Sequence, residues 1–162
     1  MKRQKGFTLV ELLVVISIMA ILTVITVSQF TTAKKKAHDV QRKGDLGNLS
    51  KSLQMYFTDY GYFPVADKGM IEGVSWGGEF VDKDYVYMKV VPKENYLKIP
   101  YCYATEGVDK PKKYAIYAAL ENDQDSDYNN QNNGNNYTCG GRADYNYVIL
   151  SPNAALSDIN SN

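Results

Sequence analysis

A chain of 162 residues with 44% apolar side chains is long enough for one hydrophobic core, and too short for a second independent fold once its N-terminal segment is set aside. Its 18 basic and 18 acidic residues cancel, which excludes a global field that would draw in nucleic acid or anionic lipid. With a single histidine, His38, and no nucleophile–base grouping or phosphate-binding glycine motif, the chain does not read as an enzyme.

Residues 1–6 read MKRQKG, placing Lys2, Arg3 and Lys5 ahead of an apolar run from Phe7 to Phe30 whose one ionisable side chain is Glu11. As a helix these 24 positions extend roughly 36 Å, enough to cross a hydrocarbon layer of about 30 Å. A secretory h-region is shorter, and the run continues into SQFTTAKKK with no small-residue cleavage site. Lys34, Lys35 and Lys36 follow the run as closely as Lys2, Arg3 and Lys5 precede it, so charge bias does not set the orientation.

The segment KGFTLVELLVVISIMAILTVI resembles the processing and assembly signature of type IV pilins and type II secretion pseudopilins. The resemblance implies that residues 1–6 are a leader, removed by a prepilin peptidase that cuts after Gly6 and methylates the new N-terminal Phe7. A residue without a Cβ lets a protease approach the backbone closely, and a cut on this side leaves the apolar helix attached. A carboxylate within an apolar membrane helix costs about 2.5 to 3.5 kcal/mol, so Glu11 requires compensation. The resemblance supplies it as pairing with the N-terminal ammonium of a neighbouring subunit, which also sets axial register. Many pilins have a proline in the second half of this segment; this one has none.

Past Phe30 the composition turns polar but keeps a stripe of Ala33, Ala37, Val40, Gly44, Leu49, Leu53, Tyr56 and Tyr60, which predicts that the helix continues to about Tyr60. The basic cluster Lys34, Lys35, Lys36, Arg42 and Lys43 reads as a solvated helix face, as does His38. Asp39 and Asp45 interrupt the cluster and no aromatic residue interleaves with it, so direct nucleic-acid contact is not expected. The sequence TDYGYFP supplies a helix stop in Gly61 and Pro64. Val65 to Lys83 reads as an irregular connection.

Tyr85–Val91, Ile99–Ala104, Tyr114–Leu120 and Tyr145–Leu150 alternate and are rich in tyrosine and β-branched residues, as strands are. The expected fold is α+β, a long N-terminal helix packed by its amphipathic half against a small antiparallel β-sheet head. The expected organisation is a leader over 1–6, a transmembrane and filament-core helix over 7–30, an amphipathic half over 31–60 and a head over 61–162. All 14 tyrosines lie at or after Tyr56, where a ring with a polar tip suits a half-buried sheet.

Cys102 and Cys139 lie in the C-terminal part, and a lone pair in an exported domain is read as a disulfide, the alternative being two unrelated buried thiols. A bridge there closes a loop of about 37 residues, worth roughly 3 to 4 kcal/mol in the chain-entropy model. The stretch ENDQDSDYNNQNNGNNYTCGG sets Asp123, Asp125 and Asp127 at alternate positions, as hard oxygen ligands for calcium are set. An EF-hand fails here, because Tyr128 and Gly134 occupy the positions that need glycine and glutamate. The resemblance offers a looser comparison, since some major pseudopilins bind calcium in a C-terminal loop.

The leading expectation is a structural filament subunit, a helical polymer of itself and sibling pilins built by an assembly ATPase and a membrane platform. By resemblance it sits first in the cytoplasmic membrane and then in a cell-surface or periplasm-spanning filament. The competing expectation is a minor tip subunit or a membrane-anchored binding module that uses the tyrosine-rich head.

Overall fold

A computed structural model describes residues 6–129 and 136–159, except for the side chains of 25–28. Lys2, Arg3 and Lys5 of the leader, and Gly134 of the Asn-rich loop, lie outside the described residues. The chain divides into two units, Met1–Ala37 and His38–Asn162.

One helix, α1, runs through Leu9–Tyr60. Thr8 caps its start in a reciprocal box: the Thr8 amide donates to Glu11 Oε2 (2.8 Å) while the Glu11 amide donates to Thr8 Oγ1 (3.3 Å). Gly61 ends it, with a φ of 71° and an amide that donates to the Phe57 carbonyl (2.7 Å). In the first unit every described side chain is exposed.

In the second unit the helix acquires a buried face at Asp39, Arg42, Leu46, Leu49, Ser52 and Leu53. This phase differs from the expected stripe, whose first half, Ala33, Ala37, Val40 and Gly44, is exposed. Two of the positions that turn inward carry charge, and only from Leu46 onward does the buried face coincide with the apolar one.

Among the described residues nine short strands follow: β1 (Ala66–Asp67), β2 (Met70–Ile71), β3 (Phe80–Asp82), β4 (Tyr85–Met88), β5 (Cys102–Thr105), β6 (Tyr114–Ala118), β7 (Tyr137–Cys139), β8 (Arg142–Tyr145) and β9 (Tyr147–Leu150). Helix α2 (Leu156–Ile159) closes the described chain. The central sheet is antiparallel in the order β5-β6-β9, and β1-β2, β3-β4 and β7-β8 are separate two-stranded ladders. β4 therefore does not join the central sheet, and the stretch before it is not irregular throughout. Lys68 and Gly69 both have positive φ and turn β1 into β2, and Lys83, also at positive φ, turns β3 into β4. The expected strand over 145–150 is interrupted at Asn146, whose side-chain amide and carbonyl bond the Leu120 backbone.

All five residues of β6 are buried, because both faces of the central sheet are covered. Tyr114, Ile116 and Ala118 face a core shared with Leu46, Leu49, Leu53, Phe63 and Tyr103. Ala115 and Tyr117 face a second cluster with Tyr137, Tyr145, Val148 and Ile159. Burying each of the three helix leucines contributes about 1.5 to 3 kcal/mol. Buried rings leave their hydroxyls to be satisfied, and α1 satisfies several of them: Tyr87 donates to Asp59 (2.6 Å) and Tyr101 to Asp45 (2.8 Å), while Tyr114 pairs with Ser50 (2.7 Å); the exposed Tyr96 likewise donates to Gln41 (2.9 Å). Burial, then the bond to Asp45, raises the Tyr101 phenol well above its usual value, so it stays a donor.

Cys102 and Cys139 form a disulfide that joins β5 to β7 on the second face. Gly69 lies so close that a Cβ there would stand 2.7 Å from Cys102 Sγ. Replacing both cysteines by serine removes the tie between the β7-β8 ladder and the sheet and should cost about 2 to 5 kcal/mol. A denaturant titration of the oxidised protein and the double variant measures this difference.

Candidate functional site

Glu11 sits in the first turn of α1, where Thr8 meets its carboxylate twice, by the amide and by Oγ1 (2.7 Å). The other described hydroxyls of the apolar run are also satisfied inside the helix. Ser17 donates to the Leu13 carbonyl (2.8 Å) and Thr23 to the Met19 carbonyl (2.7 Å). Such internal bonding is what a helix in hydrocarbon requires, since no water is there to substitute.

Around these groups the side chains of Leu9, Val10, Leu12, Leu13, Val14, Val15, Ile16, Ile18, Met19, Ile21, Leu22 and Val24 all lie on the surface. The run is the one described stretch long and apolar enough to cross a membrane. Phe7 is 81% exposed, and apart from its chain neighbours nothing among the described residues lies within 4 Å of the place where a Cβ on Gly6 would stand. Gly6, Phe7 and Glu11 thus sit together at the open end of an unburied apolar helix.

The second concentration of charge is buried. Arg42 has no exposed surface, and its guanidinium reaches three carboxylates: Nη1 to Asp39 (2.6 Å), Nε and Nη2 to Glu94 (2.7 and 3.2 Å) and Nη2 to Glu121 (2.7 Å). The acids are held in turn. Asp39 accepts the Glu121 and Asn122 amides, Glu94 accepts the Tyr96 and Leu97 amides, and Glu121 meets His38 Nδ1 at 3.0 Å. The His38 ring stacks on Tyr96 with centroids 3.7 Å apart.

Burial alone would lower the Arg42 pKa and raise those of Glu94 and Glu121. The mutual hydrogen bonds reverse all three, raising arginine and lowering both glutamates. Arg42 and His38 therefore do not belong to a solvated basic face. A guanidinium whose acids stand 3, 52 and 79 residues away in sequence has little local signature, and the alternating charges Asp39, Arg42 and Asp45 were the one available hint.

Of the three candidate calcium ligands, Asp125 and Asp127 come together, but on the ammonium of Lys43, at 2.5 and 2.7 Å. Asp123 does not join them and faces the Gln124 amide at 3.4 Å. Among the described residues no group of three or more histidine, cysteine or acidic side chains is arranged to hold a metal ion.

The pattern for the prokaryotic N-terminal methylation motif matches residues 1–27. The type II secretion system core protein G of Klebsiella pneumoniae is 37% identical over 70 residues, covering 43% of this chain and 50% of that protein. Its counterpart in Vibrio cholerae is 32% identical over 97 residues, covering 58% and 66%. The type IV wide pilus major component PilA4 of Thermus thermophilus is 41% identical over 59 residues, covering 36% and 45%. The chain belongs to the type IV pilin and pseudopilin family. It spans about half to two thirds of the length of the curated relatives it matches. No solved structure matches it.

In this pilin-family chain the Arg42 cluster yields a prediction. Replacing Arg42 by methionine leaves buried acids unpaired and should destabilise the head by about 3 to 5 kcal/mol at neutral pH. Glu94 and Glu121 have folded pKa values below the ordinary 4.5, so their contribution is present above that value and is lost as pH falls through the lowered folded values. In the variant the unpaired acids gain from protonation, so the gap between the two proteins should narrow on acidification. Denaturant titrations at neutral and acid pH measure it.

Proposed function

We propose that this chain is a structural subunit of a type IV pilus or pseudopilus, made as a membrane-inserted precursor, cut between Gly6 and Phe7, methylated on Phe7, and polymerised through the N-terminal half of α1. The observation that carries the reading is the coincidence of the methylation motif with an apolar run whose described side chains are all exposed. A contiguous apolar surface of this extent does not persist in water. The cytoplasmic membrane covers it first, and the equivalent helices of other copies and sibling pilins cover it in the filament.

Processing needs a prepilin peptidase, and extraction from the membrane needs an assembly ATPase acting through a membrane platform. Two relatives are named as secretion core proteins and one as a major pilus component, which favours a polymerising role over a monomeric receptor. The assembled chain lies at the cell surface or across the periplasm.

Cleavage turns the Phe7 amide into an ammonium one residue ahead of the Thr8 cap. In the precursor and in the single subunit Thr8 satisfies Glu11. In the filament Glu11 pairs with the ammonium of a neighbour, which offsets its burial and fixes the axial step. Glu11→Gln keeps an acceptor for Thr8 but removes the charge. It should insert and be processed normally while losing a pairing worth about 3 to 5 kcal/mol per contact, so filaments sheared from cells or assembled in vitro should fall to a small fraction of the unsubstituted yield. Filaments at full yield with Glu11→Gln would contradict the assignment.

A further inference from the structure

Asp125 and Asp127 lie in a tight turn: the Asp125 amide donates to the Asn122 carbonyl (3.2 Å), the Tyr128 amide to the Asp125 carbonyl (3.0 Å) and the Asp127 amide to Asp125 Oδ1 (2.9 Å). Spacing of this kind gathers oxygens as a hard cation would want them, and a cation is indeed present. It is the ammonium of Lys43, brought in by α1, 2.5 Å from Asp125 Oδ1 and 2.7 Å from Asp127 Oδ2. The ring of Tyr147 lies beneath it, with the centroid 5.6 Å from Nζ. Partial burial opposes the charge on Lys43, but the two carboxylates outweigh it and raise the ammonium above its ordinary value.

Calcium takes six to eight oxygen ligands. Among the described residues this turn brings two carboxylates together at a point that already holds a positive charge, and a divalent ion placed there would stand against that charge. The residues do not fit the metal that the spacing suggests.

We propose that Lys43 is the resident cation of this loop, so that the turn over 122–128 is held by a side chain of α1 in place of a divalent metal. Ordering of the loop is thereby tied to docking of the helix, and calcium concentration has no part in it. The proposal does not depend on the filament reading.

The test uses the full-length chain in detergent micelles and follows its Tm. The unsubstituted protein should melt at the same temperature in millimolar calcium and in EDTA; a lower Tm in EDTA would overturn the proposal. K43M and D125N/D127N should each lower Tm by several degrees in both conditions. The combined K43M/D125N/D127N chain should melt no lower than either alone, because the charges act as one unit. Additive losses, or a K43M chain that melts like the unsubstituted one, would overturn it. If K43M does not fold, the combined chain decides: recovery of folding supports the charge pairing, and continued failure assigns Lys43 a packing role only.

Discussion

α1 carries two kinds of surface along its length, one apolar on all sides and one sealed along a single face, and each sets its own requirement. Up to Ala37 every described side chain is exposed, and from Asp39 onward one face is sealed. The change happens within one turn, and it is made with charge. Asp39 and Arg42 are the first buried positions, ahead of the leucines. Only then does the apolar seam of Leu46, Leu49 and Leu53 begin.

Arg42 is costly to bury and has one place to go. A guanidinium out of water needs its donors met in a plane, and Asp39, Glu94 and Glu121 meet them from three separate parts of the chain. Such a cluster is weak evidence for net stability, since desolvation offsets most of the attraction. Its effect is positional. A leucine seam alone tolerates a slip of one helical turn, whereas a helix displaced by a turn takes Arg42 away from Glu94 and Glu121 and takes Asp39 away from the Glu121 and Asn122 amides. The tyrosine hydroxyls on Gln41, Asp45, Ser50 and Asp59, and Lys43 on its acid pair, repeat the same logic at successive turns of α1. A smooth helix face is thus given a single register on the sheet.

The N-terminal half of α1 was legible because its signal is local: twenty-odd apolar residues with one carboxylate at a fixed offset from a glycine have few other uses. The helix end at Tyr60 was legible through Gly61 and Pro64, and the central strands through their tyrosine and β-branched alternation. The phase of the helix between residues 33 and 46 was not. An apolar stripe predicts burial only where the partner surface is apolar, and here acids on the 94 and 121 loops select Arg42 over Val40. The ladders β1-β2 and β7-β8 were missed for another reason. Two- and three-residue strands carry no periodicity, and their turns, Lys68-Gly69 and Gly140-Gly141 at positive φ, show only as glycines in loops. The aspartates carried a signal for positive charge, and the charge that Asp125 and Asp127 meet belongs to Lys43, 82 and 84 residues earlier in the chain.

The central claim is that the exposed apolar helix is kept by the mature protein and that the chain is cut just ahead of it. Expressing the precursor with and without an active prepilin peptidase, and reading the N-terminus by mass spectrometry, tests that most directly. The account predicts loss of residues 1–6 and a methyl group on Phe7 only when the peptidase is present. An intact N-terminus beside an active peptidase would contradict it, leaving a single-pass anchor and no use for Glu11.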